Sequence, residues 1–155
     1  MSKNGQSLTV NRGKGFTLIE LLVVIAIISV LAGLLVSNFV GVRQRGRDAE
    51  RKSDLRQIQS ALELYRSDNG NYPAVLYSIS CPTSGSLTHN AITYMQKIPC
   101  DPSDDTNYPF SSTGITYTVY ACLENTNDQD RDANDGQAGD LCTAQGRVSY
   151  TLTNP

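Results

Sequence analysis

The stretch "RGKGFTLIELLVVIAIISVLAGLLV", Arg12 to Val36, decides how the rest of the chain is read. It is nearly continuous hydrocarbon with one carboxylate, Glu20, just inside its start. From Leu18 to Val36 it matches the about 20 apolar residues that a bilayer core requires. An unpaired, ionised glutamate there costs roughly 3 kcal/mol on insertion scales, so Glu20 needs a partner or a purpose. A signal peptide would place a small-residue cleavage site after the apolar run, and none follows. The run ends instead in "VSNFVGVRQRGRDAE". The conspicuous junction is Gly15-Phe16, before the run, and a cut there leaves the whole apolar helix on the mature chain.

Working outward, the 155 residues divide into one membrane segment and one polar domain. The mean hydropathy of −0.29 averages over the two. Charge is also divided. Arg43, Arg45, Arg47, Arg51, Lys52 and Arg56 stand against Asp48, Glu50 and Asp54, whereas from Lys97 onward three bases face nine acids. The basic cluster is interleaved with acids at helical spacing, so it reads as a solvated helix with ion pairs between turns. Nucleic acid is not an expected partner.

In "RDAERKSDLRQIQSALELYRSDNG", Leu55, Ile58, Leu62 and Tyr65 form one apolar stripe. Gly70 and Pro73 bound the helix end, with Asn69 as a turn residue. From Phe16 to Asp68 a continuous helix would run about 80 Å at 1.5 Å per residue. Before Leu55 the stripe is weak, which predicts a section exposed to water or to other subunits. Gly33 is a weak helix former within the span, and any loosening is expected there.

The four cysteines, Cys81, Cys100, Cys122 and Cys142, contain no CxxC pair. The polar part has few large apolar residues, so cross-links would help it fold outside the cytoplasm. Three pairings are open. Cys81–Cys100 with Cys122–Cys142 is preferred, because each closes a local loop. The single histidine, His89, reads as a solvated loop residue, and the spacings do not suit zinc.

Residues 71 to 110 read as a long connection, with a short helix over Leu87 to Lys97. "GITYTVYACLE" alternates, placing Ile115, Tyr117, Val119, Ala121 and Leu123 on one face. "GRVSYTLT" does the same with Val148, Tyr150 and Leu152, and a third strand is expected near Tyr108 to Ser111. The apolar face of this small antiparallel sheet is expected on Leu55, Ile58, Leu62 and Tyr65. Between the strands, "ENTNDQDRDANDGQAGD" crowds Asp128, Asp130, Asp132, Asn134, Asp135 and Asp140. Oxygen ligands on alternate residues suit Ca²⁺, although the loop is not an EF-hand. The bland alternative is an acidic, solvated loop.

"KGFTLIELLVVIAII" resembles the prepilin signature of type IV pilins and type II secretion pseudopilins. The long helix followed by "DNGNYP" continues the resemblance, and "KIPCDPSDDTNYPF" is similar to the segment before the first strand in major pseudopilins. The resemblance implies an α+β, pilin-like fold. Residues 1–15 would be the leader, 16–42 the membrane or filament-core half of the helix, 43–70 its amphipathic half, and 71–155 the head. It implies that a prepilin peptidase cuts between Gly15 and Phe16 and N-methylates Phe16. Glu20, the fifth mature residue, would set register by pairing with a neighbouring subunit's α-amine. Identical subunits in a helical filament, an inner-membrane assembly platform and, before assembly, the membrane are the implied partners. Major pseudopilins also carry calcium in a comparable loop.

Lys3, Arg12 and Lys14 favour a cytoplasmic N-terminus, whereas the later basic cluster argues the reverse. The cysteines and the resemblance place the head outside the inner membrane, and after assembly in a periplasmic or surface filament. No catalytic constellation is present: no Ser/His/Asp set, no phosphate-cradling glycine loop and no paired histidines. The expected function is therefore structural, as a subunit of a pilus or a pseudopilus. The alternative is a tethered calcium-binding or adhesive module that does not polymerise.

Overall fold

A computed structural model describes residues 15–83, 85–133 and 139–154, with no side-chain account of 35–38, 139 and 140. It falls into two compact units, residues 1–39 and 40–155. The helix α1 spans Leu18–Asn69 and is shared between them.

In the first unit, every described side chain from Leu18 to Leu34 is exposed. The segment is apolar on all sides, so no face of it is suited to water. Its backbone is helical through Gly33. Among the described residues no single helix is long and apolar enough to cross a membrane. Leu18–Leu34 and Phe39–Asn69 taken together satisfy the requirement of a bent span by length and composition.

The second unit is the head with its own length of α1. That helix closes at Gly70, whose left-handed backbone (φ 77°) lets its N–H return to the Arg66 carbonyl at 2.7 Å. Two small sheets follow. The first pairs β1 (Leu87–His89) with β2 (Ile92–Met95), antiparallel. The second has the order β3 (Phe110–Ser112), β4 (Tyr117–Leu123), β5 (Val148–Thr153), also antiparallel. A short helix, α2 (Gly139–Thr143), precedes β5.

The core follows the expected stripe. Leu55, Ile58, Ala61 and Leu62 of α1 are buried with Tyr117, Val119, Ala121 and Leu123 of β4 and Tyr150 of β5, and Tyr65, Val148 and Leu152 pack at its edge. Tyr72, Leu76, Leu87, Ile98 and Tyr108 complete it, so the connecting region supplies part of the core. The opposite face of β4 is covered too, with Tyr120 and Cys122 against Cys142. The cysteines pair as Cys81–Cys100 and Cys122–Cys142, closing separations of 19 and 20 residues.

Several expectations need correction. Leu87 to Lys97 is a hairpin rather than a helix, because Asn90 and Ala91 both take positive φ and turn the chain within two residues. His89 therefore ends a strand; it is exposed, with its ring edge-on to Tyr65 at 5.4 Å. Ile115 is 69% exposed, because it lies in the turn joined by the Thr113 N–H to Thr116 O bond and β4 starts only at Tyr117. Upstream of Leu55, α1 is not simply solvated: Asp48 and Arg51 are fully enclosed.

Candidate functional site

Two places on α1 carry the chemistry. The first is its N-terminus. Gly15, Phe16 and Thr17 precede the helix, Phe16 is exposed, and nothing lies within 4 Å of where a Cβ on Gly15 would be. Thr17 and Glu20 form a reciprocal cap. The Glu20 N–H donates to Thr17 Oγ1 at 3.2 Å, and the Thr17 N–H and Oγ1–H reach Glu20 Oε2 at 3.4 and 3.3 Å. This is the Thr-x-x-Glu capping box, which satisfies two N–H groups that a helix start leaves without partners. The sequence spells it as "TLIE", a signal independent of any membrane argument. Glu20 thus stands in the first turn of the helix, where a carboxylate is also favoured by the helix dipole.

The second place joins α1 to the head. Arg51 is wholly buried and surrounded by acids. Its Nε and Nη2 donate to Asp101 Oδ2 and Oδ1 at 2.7 and 2.8 Å, a two-pronged contact. Nη1 donates to Asp48 Oδ1 at 2.7 Å and Glu124 Oε1 at 3.0 Å, and Nη2 also meets Ser103 Oγ. Arg47 donates from Nε to the same Glu124 oxygen at 2.7 Å, and its Nη2 bonds Oε2. Asp48 also holds the backbone where the chain leaves β4, since its two oxygens accept the Glu124 and Asn125 N–H groups at 2.9 and 2.8 Å.

These contacts shift protonation in the directions expected. Hydrogen bonding from Arg47, ahead of the cost of burial, pulls the Glu124 carboxyl down to about 2. Burial works against the Asp101 carboxylate, but its bonds to Arg51 and the Ser103 N–H prevail and lower it. Asp54 goes the other way. Burial dominates and raises it, despite the hydrogen bond from Tyr108 Oη at 2.8 Å. The sequence held a sign of the Arg51 cluster. Asp48 and Arg51 continue the stripe of Leu55, Ile58 and Leu62 toward the N-terminus, at spacings of three and four.

The acidic loop is only partly the expected cluster. Asp128 and Asp130 come together, but around Lys52 Nζ, which bonds Asp128 at 3.0 and 3.1 Å and Asp130 at 2.9 Å. Asp132 turns away to the edge of β5, where its carboxylate accepts the Thr151 N–H at 3.2 Å and Oγ1–H at 2.6 Å. Asn134, Asp135 and the Asp140 side chain lie outside the described residues. Among the described residues no three acids, histidines or cysteines converge as metal ligands. As it stands, the described part of the loop does not fit a Ca²⁺ site.

Comparison with known proteins agrees with this geometry. Residues 10–36 match the model of the prokaryotic N-terminal methylation motif, and residues 38–142 match that of type II secretion system (T2SS), protein G. The type II secretion system core protein G of Escherichia coli K12 is 35% identical over 98 residues, covering 59% of this chain and 68% of the relative. That of Vibrio cholerae is 28% identical over 110 residues, covering 68% and 75%. No solved structure matches the chain. The choice between pilus and pseudopilus, open in the sequence, is thereby made. The methylation motif and the exposed apolar helix point to anchoring in the inner membrane before assembly. Its partners are copies of itself and the secretion machinery. The chain belongs to the type II secretion system protein G family, the major pseudopilins of the pilin superfamily, and is a structural subunit of the pseudopilus.

Proposed function

We propose that a prepilin peptidase cuts this chain between Gly15 and Phe16 and methylates Phe16, and that Glu20 then sets subunit register in a periplasmic filament. The observation that carries the reading is the position of the Glu20 carboxylate, held by Thr17 in the first turn of α1 on an otherwise hydrocarbon helix. Cleavage creates an α-amine on Phe16 with a reference pKa of roughly 7.7–8.0, largely protonated near neutrality. A carboxylate in apolar surroundings is tolerable when a cation pairs with it. Only one axial offset between neighbouring helices brings the amine of one subunit to the Glu20 of another. Moving the helix from lipid to sister helices exchanges one apolar environment for another, so the charged pair can decide register. An inner-membrane assembly platform would perform the transfer.

The cap provides a discriminating experiment. Glu20→Gln keeps an acceptor oxygen for the Thr17 N–H, since Gln serves in capping boxes, but loses the charge. Thr17→Ala removes the hydroxyl and keeps the charge. Both variants should reach the membrane and be processed. Filament yield by electron microscopy should collapse for Glu20→Gln and survive in Thr17→Ala. The reverse order would show that Glu20 serves only its own helix.

A further inference from the structure

The turn that carries Asp101 to Arg51 belongs to no helix or sheet. It lies within residues 96–109, between β2 and β3. Its own bonds close it locally: the Asp101 N–H donates to Thr106 O at 2.9 Å, and the Asp105 N–H donates to Asp101 O at 3.0 Å. The Ser103 N–H donates to Asp101 Oδ1 at 2.9 Å and helps to aim the carboxylate. Cys81 holds the turn at both ends. Its sulfur is bonded to Cys100, and its N–H donates to Asn107 Oδ1 at 2.8 Å. Other anchors stand outside those ends, where Tyr77 Oη donates to Pro99 O at 2.9 Å and Tyr108 Oη to Asp54 Oδ2 at 2.8 Å. Glu124, on the other side of Arg51, needs no such fastening, because it follows β4, which is paired along its length with β5. Cys81 and Cys100 are half-buried, and Cys100 lines an open depression of about 300 Å³ with Glu50, Asp54 and Lys97. A small thiol therefore has access to the bridge.

We propose that the Cys81–Cys100 bridge is a redox latch on Arg51: with the bridge closed, the Asp101 turn stays on the buried guanidinium and locks the head onto α1. With the bridge open, the turn is released and Asp101 exchanges Arg51 for water. Arg51 then keeps Asp48 and Glu124 but loses its two-pronged contact, in a place where no water replaces it. Closing the latch forms the Cys81–Cys100 S–S bond and passes two electrons and two protons from the two thiols to a donor disulfide, which leaves as a dithiol. Opening it is the reverse, with a dithiol as reductant. Closure of the head is thereby conditional on an oxidising exchange, a control that stands apart from the register role of Glu20. By linkage the coupling is reciprocal, so weakening the hold of the turn on Arg51 makes this bridge easier to reduce.

The test uses the full-length chain in detergent micelles. Hydrogen exchange of the Arg51 Nε–H is followed by NMR, relative to the amides of β4. In Cys81→Ser/Cys100→Ser this relative rate should rise about fivefold or more over the parent, the lower end of measured couplings between sites. A relative rate unchanged from the parent overturns the latch, because the bridge then only supports the head as a whole. The converse is read by equilibrating the chain with reduced and oxidised dithiothreitol, followed by acid quenching, alkylation and mass spectrometry of each cysteine peptide. Asp101→Asn should shift the reduction equilibrium of Cys81–Cys100 by about fivefold or more and leave Cys122–Cys142, the reference in the same molecules, nearly in place. No shift at Cys81–Cys100 overturns the proposal. An equal shift at both bridges reports loss of the whole head in that variant, and the Arg51 exchange rate then decides.

Discussion

Arg51 shows how one residue can decide whether a helix and a head stay together. Its charge has no water to fall back on, and three carboxylates take its place. Such pairs contribute modestly when intact, because desolvation offsets attraction, but removing one partner leaves the others buried and unpaired. Arg51→Met should therefore cost about 3–5 kcal/mol in chemical denaturation, with Asp48 and Asp101 the groups left stranded. The same cluster sets an acid limit. Glu124 has a folded-state pKa of about 2 against an ordinary 4.5. Its contribution to stability is therefore complete above about 4.5 and is lost as pH falls toward 2. Asp101 and Asp128 act in the same direction, and Asp54, raised by burial, acts in the opposite one. Thermal melts between those pH values should show a steep decline in the parent head and a flatter one in Glu124→Gln. Parallel curves would remove Glu124 from the account.

At the scale of elements, what could be read in advance followed periodicity. The stripe of α1 and the alternation of β4 and β5 were visible because a buried face repeats every three to four residues in a helix and every two in a strand. The β1–β2 hairpin was hidden because its turn lacks the usual glycine: Ala91 sits at φ 64°, where an L-residue with a Cβ is strained. Ala91→Gly should stabilise the head by about 1 kcal/mol, a gain in urea midpoint without change of slope. No gain would mean that the hairpin tolerates its turn at no cost. The buried ions were hidden for another reason. Charged residues on a helix are ordinarily solvated, and only their place on the extended apolar stripe marked Asp48 and Arg51 as exceptions. The disulfide pairing was accessible from loop length alone. Each bridge closes a loop of 19 or 20 residues. Replacing Cys122 and Cys142 by Ser should cost about 3 kcal/mol by the loop-entropy estimate.

Across the whole molecule, two sets of demands are written into one chain. Residues 18–34 are suited to lipid or to other helices and carry little else. The head supplies its own core, cross-links and ion pairs. The function was readable chiefly in the residues around Gly15, because the methylation motif they match is a pattern of sequence and needs no fold to be recognised. The turn of Asp132 toward the edge of β5 was not legible in the sequence, because composition does not show where an acidic side chain points. The measurement that tests the central claim most directly is the intact mass and N-terminal sequence of the protein recovered from cells with an active prepilin peptidase. A chain beginning at Phe16 with a methylated α-amine is the predicted result. A chain still beginning at Met1 would contradict it.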